Sequence, residues 1–280
     1  MLHRLTYILV LLSTFAKAQH APTAMVNTAM NSFITQCGTR PAPFELYAMN
    51  NFVAVNIANG NWAELDRFWL FAQSVQGNSK ISLINPTATQ IIEVNSPTWT
   101  QYRGYYGNGT TSYLNTSFVP SIGGFKYVLN SADFGVYIYD HGTAASLGCE
   151  IGMSTTSGAV VSSLYSRYTD NNIYANINQN VGAFVSGSIA DAVGFNSARR
   201  TASNAIAIWK NGVSQYTGTT ASSSIPSLQG FYVGARDING AADAFSDRKI
   251  SIAYMGSSSI GNLSLYNSIN LLAYQLGFHF

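Results

Sequence analysis

Phe134-Gly135-Val136-Tyr137-Ile138-Tyr139 is the stretch from which the fold can be read. Phe134, Val136 and Ile138 alternate with Gly135, Tyr137 and Tyr139. A period of two belongs to an extended strand whose alternate side chains enter a core. Further along the chain, Phe231, Val233 and Ala235 alternate with Tyr232 and Gly234, and Lys249-Ile250-Ser251-Ile252 alternates polar with apolar. Asn108-Gly109, Gly123-Gly124, Asn211-Gly212 and Asn239-Gly240 punctuate these runs. Trp209-Lys210-Asn211-Gly212-Val213 reads as a hairpin, because Asn-Gly accepts the positive φ values of a tight turn. Many short strands with regular turns predict an antiparallel sandwich or barrel from about residue 68 onward. No short period repeats, which argues against solenoids and propellers.

Both ends of the chain read differently. Met25, Met30, Phe33, Ile34 and Cys37 recur at helical spacing, with Thr23 as the expected N-cap and Gly38 just past the end. Arg40-Pro41-Ala42-Pro43 breaks this helix, and a second is expected from Glu45 to Ala58, stopped by Asn59-Gly60. Trp62, Leu65, Phe68 and Trp69 are read as a hydrophobic plug following it. At the other end Leu265, Ile269, Leu272 and Leu276 share one helical face, with Gly277 placed to end the helix. At the start, His3 and Arg4 precede the apolar run Leu5–Leu12, and Ala16-Lys17-Ala18 gives a small-x-small pattern. The run is too short for a bilayer, which needs roughly 20 residues, so residues 1–18 are expected to be a secretory signal peptide.

Composition narrows the partners. Of 280 residues, 47% are hydrophobic, enough for a sizeable core, but only 9% are charged. Removing Arg4 and Lys17 from the 14 Lys+Arg leaves 12, against 12 Asp+Glu, a formally neutral mature chain. Only Arg199-Arg200 and Arg248-Lys249 are adjacent basic residues, so the patch needed to neutralise nucleic-acid phosphates is missing. Such a surface suits a glycan or a protein partner, including a second copy of the chain. No membrane span is expected after signal cleavage. Two readings of Cys37 and Cys149 stay open: a disulfide formed in an oxidising compartment, or two separate buried thiols.

Four motifs in order resemble concanavalin A-like (LamG-like) lectin and glucanase domains. They are Gly107–Thr116 with Phe118-Val119-Pro120-Ser121, the Ile208–Gly212 hairpin, Phe231–Arg236, and Ile250–Gly256 followed by the closing helix. Trp62–Phe71 resembles the leader of such domains in Bacteroidetes-type secreted proteins and phage tail-associated proteins. The resemblance implies an all-β, two-sheet antiparallel jelly-roll sandwich over residues 80–280, with a helical leader at 19–79 and a C-terminal amphipathic helix. It implies a secreted or surface lectin-like module; the alternatives are a phage tail-fibre-type structural or adhesion protein, located in the virion, and an atypical glycoside hydrolase.

Glucanases of this superfamily carry carboxylates at i, i+2 and i+4 on one strand. Here only Glu64 and Asp66 are two apart, in the expected helical leader that would splay them, so catalysis is not expected. No Gly-x-Ser-x-Gly elbow accompanies His141, and Asp140-His141-Gly142 reads as a turn. Paired His or Cys ligands are lacking, so no metal or other cofactor is expected. Calcium stays open by the resemblance, through Asp237-Ile238-Asn239-Gly240, although a plain Asn-Gly turn explains those residues better. What remains is aromatic: Tyr137 and Tyr139 on one strand face, with Asp140 and Arg199 as hydrogen-bonding neighbours, form the expected carbohydrate-binding group. Against it stands a sheet face packed under the N-terminal helices. Whether that face is open or covered discriminates the two.

Overall fold

The structure is a computed structural model that describes residues 22–142, 147–155 and 159–278. The expected signal segment lies outside the described residues. The decisive stretch is the heart of β6 (Ala132–Asp140), hydrogen-bonded between β11 (Gly194–Ala202) and β17 (Lys249–Gly256). Phe134, Val136 and Ile138 enter the core between two sheets, while Tyr137 enters a second core on the other side. Gly135 has no freedom to be larger, since a Cβ there would press on the Asn196 carbonyl and the Tyr254 ring.

The first sheet has eight strands. Its order is β13 (Val213–Gly218), β12 (Ala205–Lys210), β11, β6, β17, β4 (Gly104–Tyr106) and β3 (Thr98–Thr100), with β1 (Leu65–Leu70) also paired to β17. The second sheet has nine, ordered β10 (Val185–Ser188), β9 (Asn172–Asn180), β8 (Val160–Tyr165), β7 (Ile151–Ser154), β14 (Tyr232–Val233), β5 (Tyr113–Asn115) and β2 (Ile92–Val94). Beside β7 run β15 (Arg236–Ile238), the one parallel pairing among the described strands, and its hairpin partner β16 (Ala241–Asp243). The protein is therefore the expected two-sheet sandwich of essentially antiparallel strands, flanked by helices at both ends of the chain.

A helical layer covers the outer side of the first sheet. It comprises α1 (Thr23–Gln36), α2 (Pro43–Ala58) and α3 (Asn262–Leu276). In α1 the buried stripe is Val26, Met30 and Phe33; Met25 points outward, and the N-cap is Pro22 rather than Thr23. Glu45, in the first turn of α2, accepts the Ala42 N–H at 2.9 Å and the Ser74 N–H at 2.6 Å, so it both caps the helix and ties it to the sandwich. Leu265, Ile269, Leu272 and Leu276 of α3 are buried as expected, and Gly277 caps it in the left-handed region at φ 76°.

Two local expectations are corrected. Leu65–Leu70 is a strand, antiparallel to β17, not part of a helical leader. Both of its faces are buried: Phe68 and Leu70 lie in the helix-side core and Trp69 in the inter-sheet core, and the charged pair Asp66-Arg67 is buried with them, so no polar–apolar alternation betrays a strand. Ile250 and Ile252 do not share a face, because the register shifts between them, and this irregularity sends Ile250 inward and Ile252 toward the helices. The Asn211-Gly212 hairpin forms as expected, with φ 49° and 76°, and Asn239-Gly240 joins β15 to β16 in the same manner at 53° and 89°.

Candidate functional site

On the second sheet, Leu164 of β8 and Ile173 and Ala175 of β9 face the inter-sheet core. Alternation then turns Tyr165 and Tyr174 to the opposite, outer face. The β8–β9 turn adds Tyr168, and the segment before β10 adds Phe184. Each ring meets the next edge-on: Tyr165–Tyr168 at 5.9 Å and 85°, Tyr168–Tyr174 at 5.6 Å and 75°, Tyr174–Phe184 at 5.4 Å and 80°. This is the favourable T-shaped arrangement of aromatic quadrupoles, and it makes ring faces at right angles into the walls of a cleft. The turn is fastened by Arg167, whose Nη2 donates to Asn171 Oδ1 at 2.7 Å, and by the Tyr174 hydroxyl, which donates to Asp170 Oδ2 at 2.5 Å.

The fourth side of the cleft is ionic. Arg236 of β15 stands directly across the ladder from Asp243 of β16. Its Nε donates to Asp243 Oδ1 at 2.9 Å and its Nη2 to Oδ2 at 2.6 Å, a bidentate fork. Burial acts to lower the proton affinity of this guanidinium, but the Asp243 hydrogen bonds and neighbouring groups raise it overall. Leu147, Tyr165, Tyr168, Tyr174, Phe184, Arg236, Asp243 and Ala244 enclose about 530 Å³. Burial pushes the Tyr165 phenol above its ordinary value, so it stays neutral. Two strands further across the same face, Tyr113 and Tyr232 stack at 4.5 Å with Phe245 beside Tyr113 at 6.1 Å, extending the aromatic surface. Just before β7, Glu150 is fully buried against Arg248 and accepts the Ser166 N–H at 2.5 Å, tying the start of β7 to the end of β8.

The residues read from the sequence as a carbohydrate group lie elsewhere, and the structure does not bring them together. Tyr137 and Tyr139 do occupy the face opposite Phe134, but that face is covered. Tyr137 is 2% exposed and packs edge-on to Phe278 at 5.7 Å. Tyr139 is half-buried under the Arg103 guanidinium, 4.8 Å from its ring. Asp140 accepts a hydrogen bond from Lys249 at 2.9 Å, which holds its carboxyl below the usual range. Arg199 donates from Nε to Asp133 Oδ2 at 2.7 Å, and Tyr254 donates to the other Asp133 oxygen at 2.7 Å. Asp133 and Asp140 stand at opposite ends of β6, roughly 23 Å apart at about 3.3 Å per residue. This is a packing surface with a buried polar clamp, because the helices need a face to bury against.

The cysteines are unbridged. Cys37 sits at the end of α1, where burial and Glu45 push its thiol up to about 11, and Cys149 donates to the Ile151 carbonyl at 3.2 Å within the second sheet. Asp66 accepts the Lys126 and Tyr127 N–H groups at 2.8 and 2.7 Å, and Glu64 accepts from Ser257 at 2.5 Å; both are structural. Asp237 Oδ1 accepts the Gly240 N–H at 2.7 Å, closing the Asn-Gly turn. Among the described residues no group of His, Cys, Asp or Glu side chains could hold a metal, and no helix is long and apolar enough to cross a membrane.

The cleft residues escaped the sequence reading, although one signal was present. Leu164-Tyr165 and Ile173-Tyr174 each place an aromatic beside a core position, which turns both rings to one outer face across a short hairpin. Arg236 and Asp243 come from a later hairpin, and nothing in the sequence announces that pairing.

Fold and cleft together define a two-sheet β-sandwich module with an open aromatic site. No protein-family model and no curated protein matches the chain. Among solved structures it is similar to the Trypanosoma rangeli sialidase in complex with 2,3-difluorosialic acid, at 14% identity and a TM-score of 0.49, over 75% of this chain and 33% of that one. It is also similar to the mouse laminin alpha1 chain, domains LG4-5, at 16% identity and a TM-score of 0.35, over 46% of this chain and 36% of that one. The NanB sialidase from Streptococcus pneumoniae matches at 13% identity and a TM-score of 0.35, over 45% and 22% of the two chains. The chain thus spans about a third or less of the sialidases it matches. All three likenesses are weak, and function has to be read from the chain's own residues.

Proposed function

We propose that the protein is a secreted or surface-displayed carbohydrate-binding module that engages its ligand in the aromatic cleft of the second sheet. The supporting observation is the ring set Tyr165, Tyr168, Tyr174 and Phe184 closing around the Arg236–Asp243 pair in about 530 Å³. Tyrosine rings offer an apolar face to sugar C–H groups and a hydroxyl at the edge, and a fixed donor–acceptor pair orients the sugar hydroxyls. Binding rather than hydrolysis is favoured by the lining: among the described residues its carboxylate is Asp243, which is held by Arg236, where glycoside hydrolysis works with two carboxyl groups flanking the bond. Export is supported by the pattern His3-Arg4, Leu5–Leu12 and Ala16-Lys17-Ala18. On a polysaccharide array the wild-type protein should bind, and Tyr168→Ala should lose most of that binding with its thermal midpoint little changed. An array without a single wild-type signal would remove the reading.

A second reading, a structural or adhesive protein that assembles through its helices, is favoured by one observation. Across α1, α2 and α3 the only charged side chain is Glu45, which is buried, while Met25, Phe44, Tyr47 and Tyr274 are exposed. Interface cores are poor in charge and rich in such residues. Light scattering decides: stable oligomers favour assembly, and a monomer at high concentration counts against it.

A further inference from the structure

The charge state of the cleft points to the kind of sugar it takes, given the reading of the cleft as a carbohydrate site. Arg236 and Asp243 are the charged residues among those that line it. An acidic sugar, whether a uronate or a sialic acid, presents a carboxylate, and a guanidinium recognises it best through two parallel N–H donors. In this cleft the Nε and Nη2 donors are already committed to Asp243, at 2.9 and 2.6 Å. The Arg236 side chain is 17% exposed and that of Asp243 40%, so the carboxylate stands on the more open side of the pair. On the loop that carries Tyr168 the charges also balance: Arg167 is tied to Asn171, and Asp170 receives the Tyr174 hydroxyl.

We infer that the cleft selects a neutral sugar, and that Asp243 sets this selectivity by occupying the arginine fork that an acidic sugar would need. The fork uses Nε and Nη2, so Nη1 is assigned as the donor to the ligand and the 40% exposed Asp243 carboxylate as the acceptor. Together they match two adjacent hydroxyls, one accepting and one donating, as a neutral hexose or pentose offers. A ligand carboxylate brought to the same place meets Asp243, a like charge, before it meets a free cation. Selectivity then arises from a repulsive element as much as from an attractive one.

The test measures binding of wild type, Asp243→Asn and Arg236→Gln to two sets of probes. The neutral set is hexasaccharides of β-glucan, mannan, xylan and galactan; the acidic set is hexagalacturonate and sialyllactose. Wild type is expected to bind at least one neutral probe about tenfold or more tighter than either acidic one. Asp243→Asn, which keeps the shape and frees the guanidinium, should lose about tenfold on the neutral probe and gain about tenfold on an acidic one. Arg236→Gln should weaken the neutral probe without any acidic gain, and it carries the test should Asp243→Asn fold poorly. Wild type that binds an acidic probe as tightly as a neutral one overturns the inference while leaving the cleft a carbohydrate site. So does a folded Asp243→Asn protein with no acidic gain, or Arg236→Gln with neutral binding intact. Wild type that binds neither set overturns both the carbohydrate reading and this inference.

Discussion

The outer faces of the two sheets carry similar aromatic chemistry and differ in what covers it. On the first sheet Tyr137, Phe195 and Tyr254 project outward and are at most 2% exposed, because three helices lie over them. On the second sheet Tyr165, Tyr168, Tyr174 and Phe184 project outward with no helix above them among the described residues, and Phe184 is 41% exposed. The charged groups differ in the same sense. Asp133 of the first sheet is fully buried and clamped by Arg199 and Tyr254, whereas Asp243 of the second is paired once and faces solvent. An aromatic strand face is therefore core or open surface according to what covers it, and residue type alone does not say which.

Substitutions can break this contrast. The largest effect is expected from Asp133→Ala, which strands the Arg199 guanidinium in the interior. About 3–5 kcal/mol should be lost in denaturant unfolding, and a loss below about 1 kcal/mol would show that the clamp is solvated. Tyr137→Ala follows, at about 2–4 kcal/mol for an aromatic removed from a packed site, with ligand binding by the folded fraction unchanged. Tyr168→Ala should do the reverse, moving stability by about 1 kcal/mol or less but costing roughly tenfold in affinity.

A further expected difference is a pH dependence specific to the covered face. Burial raises the Asp133 carboxyl to about 6, against the lowering by Arg199 and Tyr254. Between the ordinary carboxylate value near 4 and about 6, the native state holds a proton that the unfolded chain has released. Stability from this group is present below that window and declines as pH rises through it. Asp133→Asn should flatten the slope in unfolding experiments from pH 4 to 6.5, and an unchanged slope would assign it to other carboxyls.

Much of the sandwich was legible because alternation and turn chemistry are local. The Phe134–Tyr139 alternation, the Asn211-Gly212 hairpin and the Leu265–Leu276 stripe all stand where their periods put them. What failed were strands without a clean polar–apolar alternation. Leu65–Leu70 is buried on both sides, and its polar residues Asp66 and Arg67 are adjacent rather than alternating, so the segment carries no period of two and reads as part of a helical plug. The irregularity between Ile250 and Ile252 flips a side chain without any residue that signals it. Tyr137 and Tyr139 were placed on the correct strand face, but covering is a tertiary fact decided by α1, α2 and α3. The cleft needed two hairpins distant in sequence, Tyr165–Tyr174 and Arg236–Asp243, to meet across β7.

The most direct measurement compares one tyrosine from each outer face in a single titration. Affinity for the best array glycan would be determined for Tyr139→Phe, Tyr139→Ala and Tyr168→Ala beside the wild type, with thermal unfolding of each. The open-face account predicts near-native affinity for both Tyr139 variants and about tenfold weaker binding for Tyr168→Ala. Loss of affinity in Tyr139→Ala, with Tyr168→Ala binding as the wild type does, would contradict it.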